Sequence, residues 1–202
     1  MKKTALHWLR PSMLVVATAI LLTACGEVAP LGPLTPPIAS PAAAKIGAGT
    51  NSANRSMTVD LTACPSLAAP AGSKLALRVY AKGVQIYTWN GASWTFNGPL
   101  ATLSADAAGN GTVGTHYAGP TWESNSGSKV VGAVIDRCTP DASAIPWLSL
   151  GAVSSEGPGI FNGITFIQRV NTAGGNAPSS PGTIGEEARV PYTTEYLFYR
   201  TK

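Results

Sequence analysis

Beyond about residue 55 no apolar stretch keeps a helical spacing, and short runs rich in Val, Ile, Thr, Tyr and Phe alternate with Gly, Pro, Asn and Asp. Residues of the first kind suit a pleated, half-buried surface, and those of the second break it into turns. The pattern predicts strands near 57–62, 75–81, 84–89, 93–96, 112–118, 130–135, 147–153, 163–171 and 193–199. About nine short strands joined by tight turns imply an all-β domain, either an antiparallel β-sandwich or a closed barrel. No fixed-period repeat suggests a propeller, a solenoid or a trefoil.

One hairpin can be read residue by residue. Asn90-Gly91 between two aromatic-rich runs has the composition of a two-residue type I′ turn. That turn would set Trp89 opposite Ala92, Tyr87 opposite Trp94 and Gln85 opposite Phe96, all on one side of the pleat. Such an aromatic face either packs into the core or, if Trp94 is exposed, forms a platform on which sugars stack.

The N-terminus carries a different kind of signal. Lys2, Lys3 and Arg10 precede an apolar run over residues 13–22, too short to span a bilayer as a helix of roughly 20 residues, and the run ends in LLTAC. This reads as a lipoprotein signal peptide over residues 1–24, with Cys25 as the lipidated residue. Residues 25–54, rich in Pro, Ala and Gly, then form a flexible linker that would reach on the order of 30 Å as a coil. Residues 55–202 form a single β domain. Export also explains the other two cysteines: Cys64 and Cys138 remain as a pair in an oxidising compartment, where a disulfide is expected.

Charge excludes several functions. Three of the fourteen Lys and Arg lie in the signal and all ten Asp and Glu lie beyond it, so the remainder carries about +1. No basic run supports a nucleic-acid footprint. No phosphate-cradling loop, dinucleotide fingerprint, HExxH or EF-hand sequence occurs, so nucleotides, metals and dedicated cofactors are not expected. No GxSxG elbow is present either.

The chemistry that remains is sparse. His116 is the one histidine beyond the signal and stands seven residues before Glu123, with Gly119-Pro120 between them. A turn there would bring imidazole to carboxylate, either for general acid–base work in an envelope hydrolase or as a hydrogen bond fixing a hairpin. Arg169 and Asn171 flank Val170 on a strand and should share a face, opposite Phe166, Gln168 and Val170. A carboxylate partner for Arg169 is expected from Glu123, Asp136 or Glu195. Trp122 and Trp147, beside prolines and turns, are candidate walls of a pocket, together with Trp89 and Trp94.

Five segments in order, GVQIYTW (83–89), HYAGPTWE (116–123), AIPWLSL (144–150), ITFIQRVNTAGG (164–175) and RVPYTTEYLFYR (189–200), give the chain a family likeness. The set resembles a domain family of unknown function found in exported bacterial and fungal proteins, over roughly residues 68–200. The resemblance implies no activity, cofactor or catalytic residue. The family pattern places cysteines where this chain has Trp89 and near Pro181, and this chain has neither, so no disulfide topology carries over.

The expectation is therefore a lipid-anchored protein of the cell envelope, in the outer membrane if the cell is Gram-negative, since Gly26 offers no retention-type Asp. Its β domain would bind a ligand, a glycan among the candidates, or pack against other envelope proteins, without catalysis.

Overall fold

The computed structural model describes residues 59–201. The expected signal peptide, Cys25 and the expected linker lie outside the described residues. Eight antiparallel strands, β1 (Ser73–Trp89), β2 (Trp94–Ser104), β3 (Thr112–Tyr117), β4 (Thr121–Ser124), β5 (Lys129–Cys138), β6 (Trp147–Glu156), β7 (Phe166–Gly174) and β8 (Glu187–Thr201), form one sheet. Each strand pairs with the next, and β8 returns to β1 over a long register from Ser73↔Thr201 to Thr88↔Glu187. The sheet is thus a closed up-and-down barrel, which leaves no edge strand exposed.

The element boundaries differ from the sequence reading in instructive ways. The predicted strands 75–81 and 84–89 are one strand, β1, running through Gly83. A Cβ at Gly83 would lie 2.1 Å from Leu100 O, so the glycine marks a close backbone approach rather than a break. The strands predicted at 93–96 and 193–199 are longer, Trp94–Ser104 and Glu187–Thr201, and run through Pro99 and Pro191. Pairing of β2 with β3 begins at Leu100 and that of β7 with β8 ends at Tyr192, so each proline sits just past its neighbour's last pair and removes no ladder bond. The short β4 was missed, and residues 59–62 of the predicted first strand are irregular.

The barrel interior is filled by alternate residues of the strands. Val79, Ala81, Leu103, Trp122, Val130, Leu150, Ile167, Tyr192, Tyr196 and Phe198 form its core. Gly132 makes room for the indole, since a Cβ there would come within 3.1 Å of Trp122. The outer side of β7 is buried as well: Phe166, Gln168 and Val170 are covered. There Gln168 Nε2 donates to Leu67 O at 2.6 Å, and Tyr199 Oη donates to Gln168 Oε1 at 2.7 Å. Leu67 belongs to a short 3-10 turn, Pro65–Leu67, held near the end of β5 by the Cys64–Cys138 disulfide (Cα–Cα 5.8 Å).

The β1–β2 hairpin departs from the type I′ expectation. Asn90 N donates to Ser93 O, and the Asn90 side chain accepts from Ala92 N and Ser93 N, both at 2.9 Å. The side chain thereby takes over the role of a backbone carbonyl and moves the tip one residue on, to Gly91-Ala92. Trp89 consequently faces Trp94 and Tyr87 faces Phe96. A bulge at Ile86/Tyr87 then sets Gln85 opposite Pro99 instead of Phe96.

Candidate functional site

The turns after β1, β3, β5 and β7 gather at one end of the barrel. The β5–β6 connection folds over that end and is tied to β7. Ile145 N donates to Gly174 O, Thr172 Oγ1 donates to Ile145 O at 2.6 Å, and Asn176 Nδ2 donates to Ala142 O. Ile145 itself joins the core, so the connection acts as a plug that fills only part of the opening.

Beside the plug lies a cavity of about 170 Å³, to which β2 through β8 all contribute. Its deeper wall contains His116, Trp122, Arg169 and Tyr196, and its apolar sides contain Pro99, Pro120, Leu148 and Leu150. Phe96 and Val134 also line it, 51% and 43% exposed respectively, which places two apolar side chains at its rim.

Strand register explains why these residues meet. His116 pairs with Trp122 across the tight β3–β4 turn, and cross-strand partners share a face. Their rings stack at 4.5 Å with 9° between planes, while Tyr196 meets both edge-on at 5.0 and 5.1 Å. Arg169 pairs with Tyr196 between β7 and β8, which carries its guanidinium to the same side.

The electrostatics of the cavity are simple. His116 is fully buried, and desolvation lowers its pKa from 6.5 to about 3 against the opposing hydrogen bond to Thr121. Its Nδ1 lies 2.8 Å from Thr121 O, an acceptor, so Nδ1 carries the proton of a neutral ring. Burial raises the phenols of Tyr192 and Tyr196, which stay protonated. Arg169 is the one charged residue lining the cavity. It donates through Nε at 3.1 Å and Nη2 at 2.7 Å to Pro146 O, and so also holds the plug.

Two buried donors in this wall are unsatisfied. Trp122 Nε1 makes no hydrogen bond, and Tyr196 Oη, although near Tyr192 and Arg169, closes none of regular geometry. Buried polar groups are rarely left this way, and the cost is about 1–3 kcal/mol each.

The remaining sequence candidates fall elsewhere. Glu123 follows Trp122 on a strand and therefore points outward, where its Oε2 accepts from Tyr117 Oη at 2.6 Å. His116 and Glu123 lie on opposite faces of the sheet, and the expected acid–base pair does not form. Arg169 has a backbone carbonyl where a carboxylate was expected. It also parts from Asn171, because β7 bulges between Val170 and Ala173 and Asn171 takes φ +52°. Asn171 sits in an outer groove and donates to Glu195 Oε1 at 3.1 Å. Trp147 lines an outer groove near Asp60 and Thr62. Trp89 and Trp94 meet edge-on at 64°, with Trp94 Nε1 donating to Ser180 O, so they present no shared flat platform. Among the described residues no group of three or more His, Cys, Asp or Glu is placed to hold a metal ion.

The sequence reading missed Tyr196, Leu148 and Phe96. Tyr192, Tyr196 and Phe198 fall at even spacing in the last strand with Glu195 on the opposite face, a period that places Tyr196 inward although Leu197 blurs it.

Residues 70–200 match a family model described as a protein of unknown function. No curated protein and no solved structure matches the chain.

Proposed function

The chain belongs to the DUF3455 family of proteins of unknown function, and we propose that this member is a lipid-anchored envelope protein whose barrel binds a small ligand at its open end without catalysis. The observation that carries the binding reading is the cavity. It combines apolar sides, an apolar rim, a buried indole N–H of Trp122 that closes no hydrogen bond and a buried Tyr196 hydroxyl that closes none of regular geometry. Pockets of this composition hold a ligand's body by burial and its orientation by a few polar groups.

The non-catalytic part rests on the same wall. A proton-transfer group should have a pKa near the working pH. His116 is held far below that, and Glu123 lies on the other face of the sheet. The envelope assignment rests on the N-terminal sequence, in which LLTAC closes a short basic-then-apolar leader.

Both parts are open to direct tests. Tryptophan fluorescence of the full chain carrying Cys25→Ser should shift saturably with a ligand from a panel of wall glycans, exopolysaccharides and small organic molecules. Leu148→Phe, which narrows the cavity, should abolish that shift. A flat response across the panel, or one indifferent to Leu148→Phe, removes the cavity from consideration. For anchoring, the native chain should partition with membranes and the Cys25→Ser chain with the soluble fraction, and identical partitioning would refute it.

A further inference from the structure

Resting on the reading that the open end is a ligand site, we infer that its ligand carries a single carboxylate-type head on an apolar body about one aromatic ring in size. Charge is the first ground. Arg169 is the one cation in the cavity lining, and no Asp or Glu lines it. A guanidinium has five N–H donors; Pro146 O takes two and Tyr196 stands within reach of another, so the fork keeps two. An arginine serving only to pin the plug would need no opening beside it.

The second ground is donor chemistry. Trp122 Nε1–H can only donate, and it lies on a residue 1% exposed. Tyr196 Oη, equally buried, keeps its proton. Together with the spare hydrogens of Arg169, the wall offers several donors and one positive charge. Carboxylate oxygens offer several lone pairs and one negative charge, and such charge-assisted bonds are the strong kind. A neutral sugar would need acceptors among the lining side chains, where Asn97 and the His116 ring are the uncharged candidates.

Size and sides set the body of the ligand. An apolar cavity of about 150 Å³ admits benzene, and this one measures about 170 Å³. Pro99, Pro120, Leu148 and Leu150 supply apolar sides, and Phe96 at the rim supplies a ring for stacking. A monocarboxylate with one ring, or a short branched acid of like volume, fits both halves of the site.

The test uses the full chain with Cys25→Ser, titrated at neutral pH with benzoate and phenylacetate and, in parallel, with benzyl alcohol and benzamide. The acids should bind saturably and at least tenfold more tightly than the neutral probes. Tyr196→Phe keeps the ring and loses the hydroxyl. It should weaken acid binding about tenfold while the chain still folds, with the melting temperature moved by no more than a few degrees for the lost contacts to Tyr192 and Arg169. This second variant separates recognition from folding, which Arg169 substitutions would confound through Pro146. Equal affinity for acids and neutral probes, or acid binding indifferent to Tyr196→Phe, overturns the anionic head while the ligand-site reading stands. Failure of all four probes also overturns it, whereas the ligand-site reading is judged separately, by the Leu148→Phe comparison with the wider panel.

Discussion

The imidazole of His116 lies flat on the indole of Trp122, with ring centroids 4.5 Å apart and 9° between planes. The stack sits at the floor of the open end and excludes water from the histidine, which is 1% exposed. Burial of this kind favours the neutral ring, and the nearby Arg169 guanidinium acts in the same direction.

A pH dependence follows with a definite sign. The unfolded chain binds this proton near pH 6.5, and the folded chain only near 3. Stability is therefore whole above pH 6.5 and falls as pH drops toward 3, by about 1.4 kcal/mol per unit inside that window. Thermal melts at pH 7.5 and 4.5 should differ on the order of 10 °C through this group. His116→Phe keeps a ring on Trp122 and should flatten the difference. Asp60, Asp106, Asp136 and Asp141, whose carboxyls are held below the ordinary range by hydrogen bonds from Thr62, Asn110, Ser66 and Ser143, add a loss of the same sign, but it sets in mainly below an unfolded pKa of about 3.9 and so below the pH 4.5 of the comparison. Melting temperatures of native and variant chains that fall in parallel would contradict a buried neutral His116.

The Cys64–Cys138 bridge spans a sequence separation of 74. Closing a loop of that length restricts the unfolded chain by roughly 4 kcal/mol in the chain-entropy account. Reductant, or the Cys64→Ser/Cys138→Ser double variant, should lower the melting temperature on the order of 10 °C. A shift of a degree or two would show that the entropy of this loop counts for little.

Gln168 holds the turn around Leu67 to the outside of β7, donating to Leu67 O while accepting from Tyr199. Gln168→Leu matches its bulk but strands a carbonyl and a phenol. A loss of about 1–3 kcal/mol is expected in chemical denaturation. Limited proteolysis should find new cleavage near Leu67, and an unchanged digest would mean the disulfide alone retains the turn.

Gly91 occupies the tip of the β1–β2 hairpin at φ +97°, and a Cβ there would meet Ile184 at 3.3 Å. Gly91→Val should cost about 1–3 kcal/mol, since a β-branched residue is strained at positive φ. Equilibrium unfolding measures this, and a neutral substitution would indicate that the tip rearranges freely.

Much of this architecture was legible in the chain. Period-two runs such as 163–171 and 193–199 coincide with strands because side chains alternate between the faces of any strand, whatever it packs against. The disulfide was legible because the leader-like N-terminus suggested export and left two cysteines to pair. Local chemistry misled wherever a neighbour decided the outcome. Asn90 looked like the first residue of a two-residue turn, but its side chain took over the turn's hydrogen bonds. The strands predicted at 93–96 and 193–199 run on through Pro99 and Pro191, where the neighbour on one side has already ended.

The site shows the same division. By itself the sequence determined that the domain is all β, that a cysteine pair staples it, and which few residues could carry chemistry, because period, composition and elimination are properties of the chain alone. Tertiary structure decided that the sheet closes into a barrel. It also set His116, Trp122, Arg169 and Tyr196 around one cavity while turning Glu123 and Asn171 away. Those outcomes depend on register, and a one-residue slip or a bulge sends a side chain to the opposite face. Register is fixed by partners distant along the chain, as when Tyr196 meets Arg169 on one side and Val79 on the other.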